Sequence, residues 1–445
     1  MVCKKRLNGT KMNSLRNLRK LNQVPAYLFA ADSAKNRFQA RDVHSAKTMA
    51  DLSKLSFLVV SHVAFTGHAQ ELKNFLKQHA EKLVFIGHPF SYASQKESVA
   101  EFYERSTLKT ELKAPKIGGS EIFLYVKDFL TTFYFTFRFR VKFHVYVGVD
   151  PLNTLAGLVL KRLGFAQITI FYVIDYVPFR FKNVILNNIY RSIDRFAVYN
   201  ADYTWNLTSA MADAREKIGI RKNDTHQIIV PTGTHSEKFK SMLKERLDKN
   251  TVVFLSHLRK GQGIELVLEA LPEVIKEVPS VKLIVIGTGP LEKYFKEEVK
   301  KRNMNDNVMF LGYIENPDEI EKIVAKCRVG IAPYVPDPNS FTWYADPGKP
   351  KVYLGCGIPV IITRVPEVAL EISKREAGIA INYSSRELAD AIIKLLNDDV
   401  LYEKYRVNAM RFASELDWGV IFAQALSNLS LSCTFMSKYA NNLRS

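Results

Sequence analysis

Three short stretches in the second half of the chain set glycines and cations where an anion would need them. Gly287-Thr288-Gly289-Pro290 follows the apolar run Lys282–Ile286 and opens a helical pattern. Glycines at such a turn let a ligand approach the backbone, and the amides of a helix N-terminus favour negative charge; a purely structural turn is the plain alternative. Asp346-Pro347-Gly348-Lys349 is the sharper signal. Aspartate is a good N-cap, proline a good first helical residue, and Gly355-Cys356-Gly357 a good stop. The amides at Gly348 and Lys349, with the Lys349 ammonium, would form a site for a diphosphate, the alternative being a capped helix with a solvated lysine. Upstream lies the loop His257-Leu-Arg259-Lys260-Gly-Gln262-Gly263, whose cations either face the same cleft or are simply solvated.

These stretches must be held by alternating strands and helices, the pattern of a parallel sheet covered on both faces. Phe57–Val60 reads as an apolar strand, Gln70–Glu81 as a helix and Leu83–Ile86 as a strand. Further strands are expected at Phe143–Val149, Ile168–Val173, Arg195–Tyr199 and Gln227–Val230. The pattern restarts at Thr251, with strands at Val252–Ser256, Lys282–Ile286, Val308–Leu311, Val329–Ala332 and Val360–Thr363. Helices are expected at Gly263–Val278, Pro290–Arg302, Pro317–Ala325, Pro347–Leu354, Ser385–Leu396 and Asp399–Ala413. The fold class is therefore α/β, with two doubly wound Rossmann-like domains facing a cleft, where ligands bind at the carboxyl ends of the strands. The expected organisation is a basic extension over 1–50, a first domain over 51–240, a second over 241–415, and a C-terminal helix and tail over 416–445 that returns to the first domain. The charged stretch from Thr234 to Asn250 is the linker.

Composition narrows the class. With 47% hydrophobic and 24% charged residues the chain is ordinary globular protein, and 445 residues suit about two to three domains. Cys3, Cys327, Cys356 and Cys433 form no CxxC pair, which argues against a disulfide scaffold or zinc finger and suits a reducing compartment. No uncharged apolar run reaches the roughly 18 residues that span a bilayer, and Val24–Ala31 is too short for a secretory h-region. The net charge of +18 is uneven: residues 1–50 carry +9, residues 51–250 another +9, and residues 251–445 none. Either nucleic acid or an anionic membrane face would account for a basic half. No groove-binding fold accompanies the charge, and the aromatic segment 121–147 is too apolar for a base-stacking platform, so nucleic acid is not an expected partner.

Together the motifs resemble the C-terminal half of a GT-B glycosyltransferase of the family 4 type, the glycosyl transferases group 1. The matching runs, in order, are Val230-Pro-Thr-Gly233 through Phe239, His257 to Glu265, Gly287-Thr-Gly-Pro-Leu291, Asn307 to Ile314, and Pro347 to Thr363. The resemblance covers about 230–415 and is looser upstream, where Val149–Asn153, Gly157–Gly164, Tyr172–Arg180, Tyr190 and Ala201–Trp205 look like an acceptor domain. It implies transfer of a hexose from a nucleotide-diphosphate sugar with retention, on cations and backbone dipoles, with no metal and no other cofactor. The donor-binding residues it implies are His257, Arg259, Lys260, Gln262, Gly287, Gly289, Tyr344, Gly348 and Lys349. Asp175, Lys349 and Asp346 are the candidate catalytic residues, and His62, Gly67, His68 and Arg180 lie on the acceptor side.

The sequence departs from the family at several of these positions. The family's phosphate-binding Arg and Lys fall on His257 and Gln262, and its two glutamates on Tyr344 and Val352. Valine cannot accept a ribose hydrogen bond, so Asp346 is the expected partial substitute. An inactive nucleotide-sugar-binding scaffold is the alternative. Tyr125, Phe129, Phe133 and Phe137 form a helical stripe followed by Arg138, Arg140 and Lys142. Such a helix either lies in a membrane interface, bringing a lipid-linked or cell-surface glycan acceptor to the site, or is simply buried. The expected location is the cytoplasmic membrane face.

Overall fold

A computed structural model of the chain describes residues 52–62, 67–90, 97–115, 119, 121–181, 183–236 and 249–429. The expected basic extension, most of the linker and the chain beyond 429 lie outside the described residues. The first sheet contains β1 (Ser56–Ser61), β2 (Lys82–Gly87), β3 (Ser98–Glu104), β4 (Thr107–Ala114), β5 (Phe143–Val149), β6 (Ala166–Val173), β7 (Tyr203–Asn206) and β8 (Gln227–Ile229). Its order is β4-β3-β2-β1-β5-β6-β7-β8, parallel except for the β3–β4 hairpin at one edge. β1 is buried on both faces: Phe57 and Val59 enter one core cluster, Leu58 and Val60 another. That double burial is why it reads as a continuous apolar run.

The helices of this half are α1 (His68–His79), α2 (Glu121–Phe139), α3 (Pro151–Arg162), α4 (Val184–Asn200) and α5 (Ser209–Lys217). The expected strand at Arg195–Tyr199 is instead the last turns of α4. The β-prone string Arg-Phe-Ala-Val-Tyr is overridden by a helix that begins at the Asn183 cap, whose side chain accepts from Ile185 and Leu186 amides, and that buries Asp194, Ala197 and Val198 at helical spacing.

The second sheet has the order β11-β10-β9-β12-β13-β14, wholly parallel, from β9 (Thr251–Leu255), β10 (Lys282–Ile286), β11 (Val308–Gly312), β12 (Val329–Ala332), β13 (Val360–Thr363) and β14 (Gly378–Ile381). Its helices are α6 (Ile264–Glu277), α7 (Glu292–Lys301), α8 (Pro317–Ala325), α9 (Gly348–Gly355), α10 (Val368–Lys374), α11 (Ser385–Asn397) and α12 (Asp399–Glu415). In each sheet the first strand has the next strand on one side and a later strand on the other. The order therefore reverses between β1 and β5 and between β9 and β12, which puts the two ligand-binding crevices at the carboxyl ends of those pairs.

Hydrogen bonds join the two halves. Thr208 Oγ1 donates to the Tyr344 carbonyl at 2.5 Å, and Glu367 Oε2 accepts from the Ser209 amide and hydroxyl at 2.8 Å. The chain then returns: Thr234 bonds Leu416 and Trp418, and α13 (Trp418–Ser427) sets Trp418 edge-on to His68 and Phe422 against Phe75 of α1.

Candidate functional site

The second crevice is built by three loops that lock onto one another. Leu258 is fully buried and its amide donates to the Thr288 carbonyl, while its own carbonyl accepts from Leu291. This fastens the β9–α6 loop to the turn after β10. The glycines of that turn serve the fastening: a Cβ at Gly287 (φ 119°) would stand 2.0 Å from the Ser256 carbonyl oxygen, and one at Gly289 2.3 Å from that of Leu258. The close approach expected of a ligand is thus made here by the protein's own backbone. Leu258 being anchored, His257, Arg259 and Lys260 stand exposed on the rim.

Lys349 reaches into this frame from the first turn of α9. Its Nζ donates to Ser256 Oγ at 2.7 Å and to Gln262 Oε1 at 2.8 Å, and lies 5.6 Å from the centre of the Tyr334 ring. Burial, helped by Arg259, pulls its pKa down to about 8. Among the described residues no carboxylate pairs with it. The Tyr334 hydroxyl below is buried and finds no hydrogen-bond partner among them. Gly348, with open space where a Cβ would stand, leaves the mouth of the helix uncovered. Ser256 and Tyr334 escaped the sequence reading; a hydroxyl at a strand's carboxyl end just before a basic loop is the signal that pointed to Ser256.

Asp346 is placed differently from expectation. Pro347, not Asp346, is the N-cap of α9, and no side chain caps the helix. The Asp346 carboxylate is buried, 3.1 Å from Lys351 Nζ, and accepts from the Thr232 amide at 2.8 Å. Burial raises its pKa against the opposing pull of Lys351. It staples the two halves and is not free to replace a lost glutamate. Tyr344 likewise donates its hydroxyl to the Pro338 carbonyl at 3.0 Å and sets its ring edge-on to Tyr176. Val352 is partly buried on α9.

At the first crevice, Asp175 follows β6 with its carboxylate half exposed, 3.3 Å from Arg180, whose guanidinium lies over the Tyr190 ring. Gly67 precedes α1. His68, expected to face the acceptor, is partly buried and bonds Thr232 Oγ1 at 2.9 Å. Burial lowers its pKa to about 4, so it is a neutral joint between the halves. His62 sits at the β1/β5 reversal, with Nδ1 2.7 Å from Asp150 Oδ2 and Nε2 3.5 Å from Asp128. Asp150 holds φ at 87°, a costly backbone state outside glycine, and caps α3 by accepting from the Asn153 amide at 2.9 Å.

This His62 cluster makes a pH prediction. Burial is the largest influence and opposes the charge, but Asp150 and then Asp128 outweigh it and hold the pKa at about 9 against an ordinary 6.5. A raised folded value means the stabilisation is complete below about 6.5 and lost as pH rises through about 9. Urea midpoints of the wild type should fall over that window, while His62→Gln should remove that part of the slope.

Two Rossmann-like domains with their crevices facing across such an interface define the GT-B fold of glycosyltransferases. Residues 249–398, in the second half of the chain, match the family described as glycosyl transferases group 1. Over 222 residues it is 28% identical to an alpha-monoglucosyldiacylglycerol synthase from Streptococcus pneumoniae, covering 45% of this chain and 48% of that protein. The chain thus spans about half the length of this curated relative. A sucrose-phosphate synthase from Thermosynechococcus elongatus superposes with a TM-score of 0.59 at 14% identity, over 88% of this chain and 99% of that one. Anabaena HepE in complex with UDP superposes at 0.57 and 15%, over 84% and 100%. At these identities the superpositions establish the fold.

Proposed function

We propose that the chain transfers a hexose from a nucleotide-diphosphate sugar to a lipid-linked or cell-surface glycan acceptor, with retention at the anomeric carbon. The observation that carries this reading is the state of Lys349: a partly buried ammonium whose neighbours are the neutral Ser256 and Gln262 and the cationic Arg259. A charge so placed lacks a counter-ion, and a diphosphate supplies one. Gln262 holds the family's lysine position, and its Oε1 accepts from the Lys349 ammonium, which reaches it from α9.

Negative charge builds on the diphosphate as the sugar–oxygen bond breaks. Lys349, already oriented by two hydrogen bonds, meets that charge without reorganising, and exposed Arg259 and Lys260 add to it from the rim. Asp175 and Arg180 orient the acceptor hydroxyl across the cleft. The protein's own cations carry the leaving group, so turnover is expected to persist in EDTA. The UDP of the HepE complex and the name of the pneumococcal relative support the donor and the lipid acceptor. The basic first half favours the cytoplasmic membrane face.

A nucleotide-sugar-binding scaffold is the second reading, favoured by Tyr344 and Val352 at the glutamate positions. The test is to incubate the purified chain with UDP- and GDP-hexoses and lipid extract, following nucleoside diphosphate release and product anomer by NMR. Release giving the donor's own anomer supports transfer with retention; the opposite anomer overturns retention. Donor binding without release assigns the scaffold.

A further inference from the structure

Helix α2 is inside out. Its sheet-facing side carries Asp128, Thr132 and Thr136, each at most 3% exposed, with Phe135 the fully buried apolar residue beside them. Its solvent side carries Phe123, Val126, Leu130, Tyr134 and Phe137, 43–61% exposed and spaced three or four residues apart. The sequence stripe Tyr125-Phe129-Phe133-Phe137 is real, with rings of Phe129 and Phe133 at 5.0 Å, but only Phe137 belongs to this exposed face, and the other three flank it.

The inversion is held by bonds to the polar side. His88 Nε2 pairs with Thr132 Oγ1 at 2.9 Å, Lys127 with Asp128 at 2.7 Å, and His62 stands 3.5 Å from Asp128. A helix that only had to cover a sheet would put its aromatic side chains inward. Here the threonines and Asp128 are bonded inside while an apolar strip about 21 Å long is left outside.

The strip does not stand alone. α3 packs between α2 and α4, and Phe137 contacts Phe165 beyond the end of α3 at 5.0 Å. α4 exposes Val184, Ile185 and Ile189, and Phe179 precedes it. Between residues 121 and 200 there are ten Lys/Arg and five acids. Of the three acids on these helices, Asp128 and Asp194 are buried and Glu121 is the first residue of α2, while Arg138, Arg140, Lys142, Arg162 and Arg195 are exposed.

We propose that the outer face of α2, with the start of α4, is a docking surface for an anionic lipid bilayer. Exposed aromatic and aliphatic side chains beside unopposed cations match the acyl–headgroup boundary of such a membrane. The chain's own first 50 residues, at +9, carry the same sign as this face and are not its complement. A second copy would set the basic faces against each other. The inference deepens the function proposed above, since a lipid surface is where a lipid-linked acceptor is met. It rests on that reading only for its purpose; the docking is measured without donor.

The experiment is co-sedimentation of the full chain with phosphatidylcholine vesicles, with and without phosphatidylglycerol. The wild type should bind the anionic vesicles, and less at high salt. Leu130→Asp with Tyr134→Asp should weaken binding by about tenfold or more while leaving the melting temperature unchanged, because both side chains already face water. Arg138→Glu with Arg140→Glu should weaken binding and flatten its salt dependence. Lys349→Ala should bind like the wild type, which separates docking from catalysis. Binding by the Leu130/Tyr134 variant equal to wild type, no binding by the wild type, or a wild-type dimer that this variant converts to monomer would each overturn the proposal.

Discussion

Lys349→Ala should lower kcat/KM by about 10²–10³-fold, the usual cost of deleting one fixed donor that meets developing negative charge. The size follows from the geometry. Ser256 and Gln262 hold the ammonium in place at 2.7 and 2.8 Å before any substrate arrives, so none of its effect is lost to reorganisation. Lys349→Arg should recover part of the rate, since the charge survives but the fit to the two acceptors does not. The pH dependence identifies the group. Burial and Arg259 bring its pKa down to about 8, and the protonated form is the active one. The rate constant kcat/KM should be flat below that value and fall above it. Arg259→Gln removes a neighbouring positive charge and should move the falling limb to higher pH. Initial rates across pH for the three proteins check this; turnover unchanged in Lys349→Ala removes the residue from the diphosphate site.

Arg215→Ala should destabilise the fold by about 3–5 kcal/mol, the cost of stripping one partner from a buried ion pair. Arg215 is fully buried on α5. Its Nε and Nη2 donate to the two carboxylate oxygens of Asp194 on α4 at 2.8 and 2.7 Å, and Nη1 donates to Asn206 at the end of β7. The guanidinium also lies 4.5 Å from the Tyr176 ring, which in turn meets Tyr344 from the second domain. Without Arg215 the Asp194 carboxylate is left buried and unpaired. Replacing both, Arg215→Met with Asp194→Leu, should recover much of the loss, because the penalty lies in the uncompensated charge. Urea unfolding of the single and double variants measures it; a single variant within 1 kcal/mol of wild type would show that water reaches Asp194.

The parallel strands were the most legible part of the chain. Phe57–Val60, Val329–Ala332 and Val360–Thr363 are short apolar runs because each is buried on both faces, and that signature survives without knowledge of the neighbours. The β3–β4 hairpin was not legible: β4 is a largely exposed edge strand, and only Leu112 and Ala114 pack against the core. Arg195–Tyr199 misled because five residues cannot distinguish a strand from the end of a long helix. Within the site, Lys349 stood out by its Pro-Gly-Lys setting. Asp346 looked equally promising, and only its partners, Lys351 and Thr232, show that its charge is already used.

By itself the sequence determined the architecture, two α/β sheets, and pointed to the second crevice for the proposed anion site, because alternation, caps and glycines act over a few neighbouring residues. It also located the excess charge in the first half. The tertiary structure decided everything that depends on which groups share a space. It brought Lys349 to Gln262, 87 residues away, so that the ammonium is oriented by a side chain of the β9–α6 loop. It joined His62 to Asp150 across the β1/β5 reversal. It also turned α2 so that its threonines face inward and its aromatics outward. A helix that is apolar nearly all round carries no inward direction of its own; that direction comes from the polar partners His62, His88 and Ser98, supplied by other strands of the sheet.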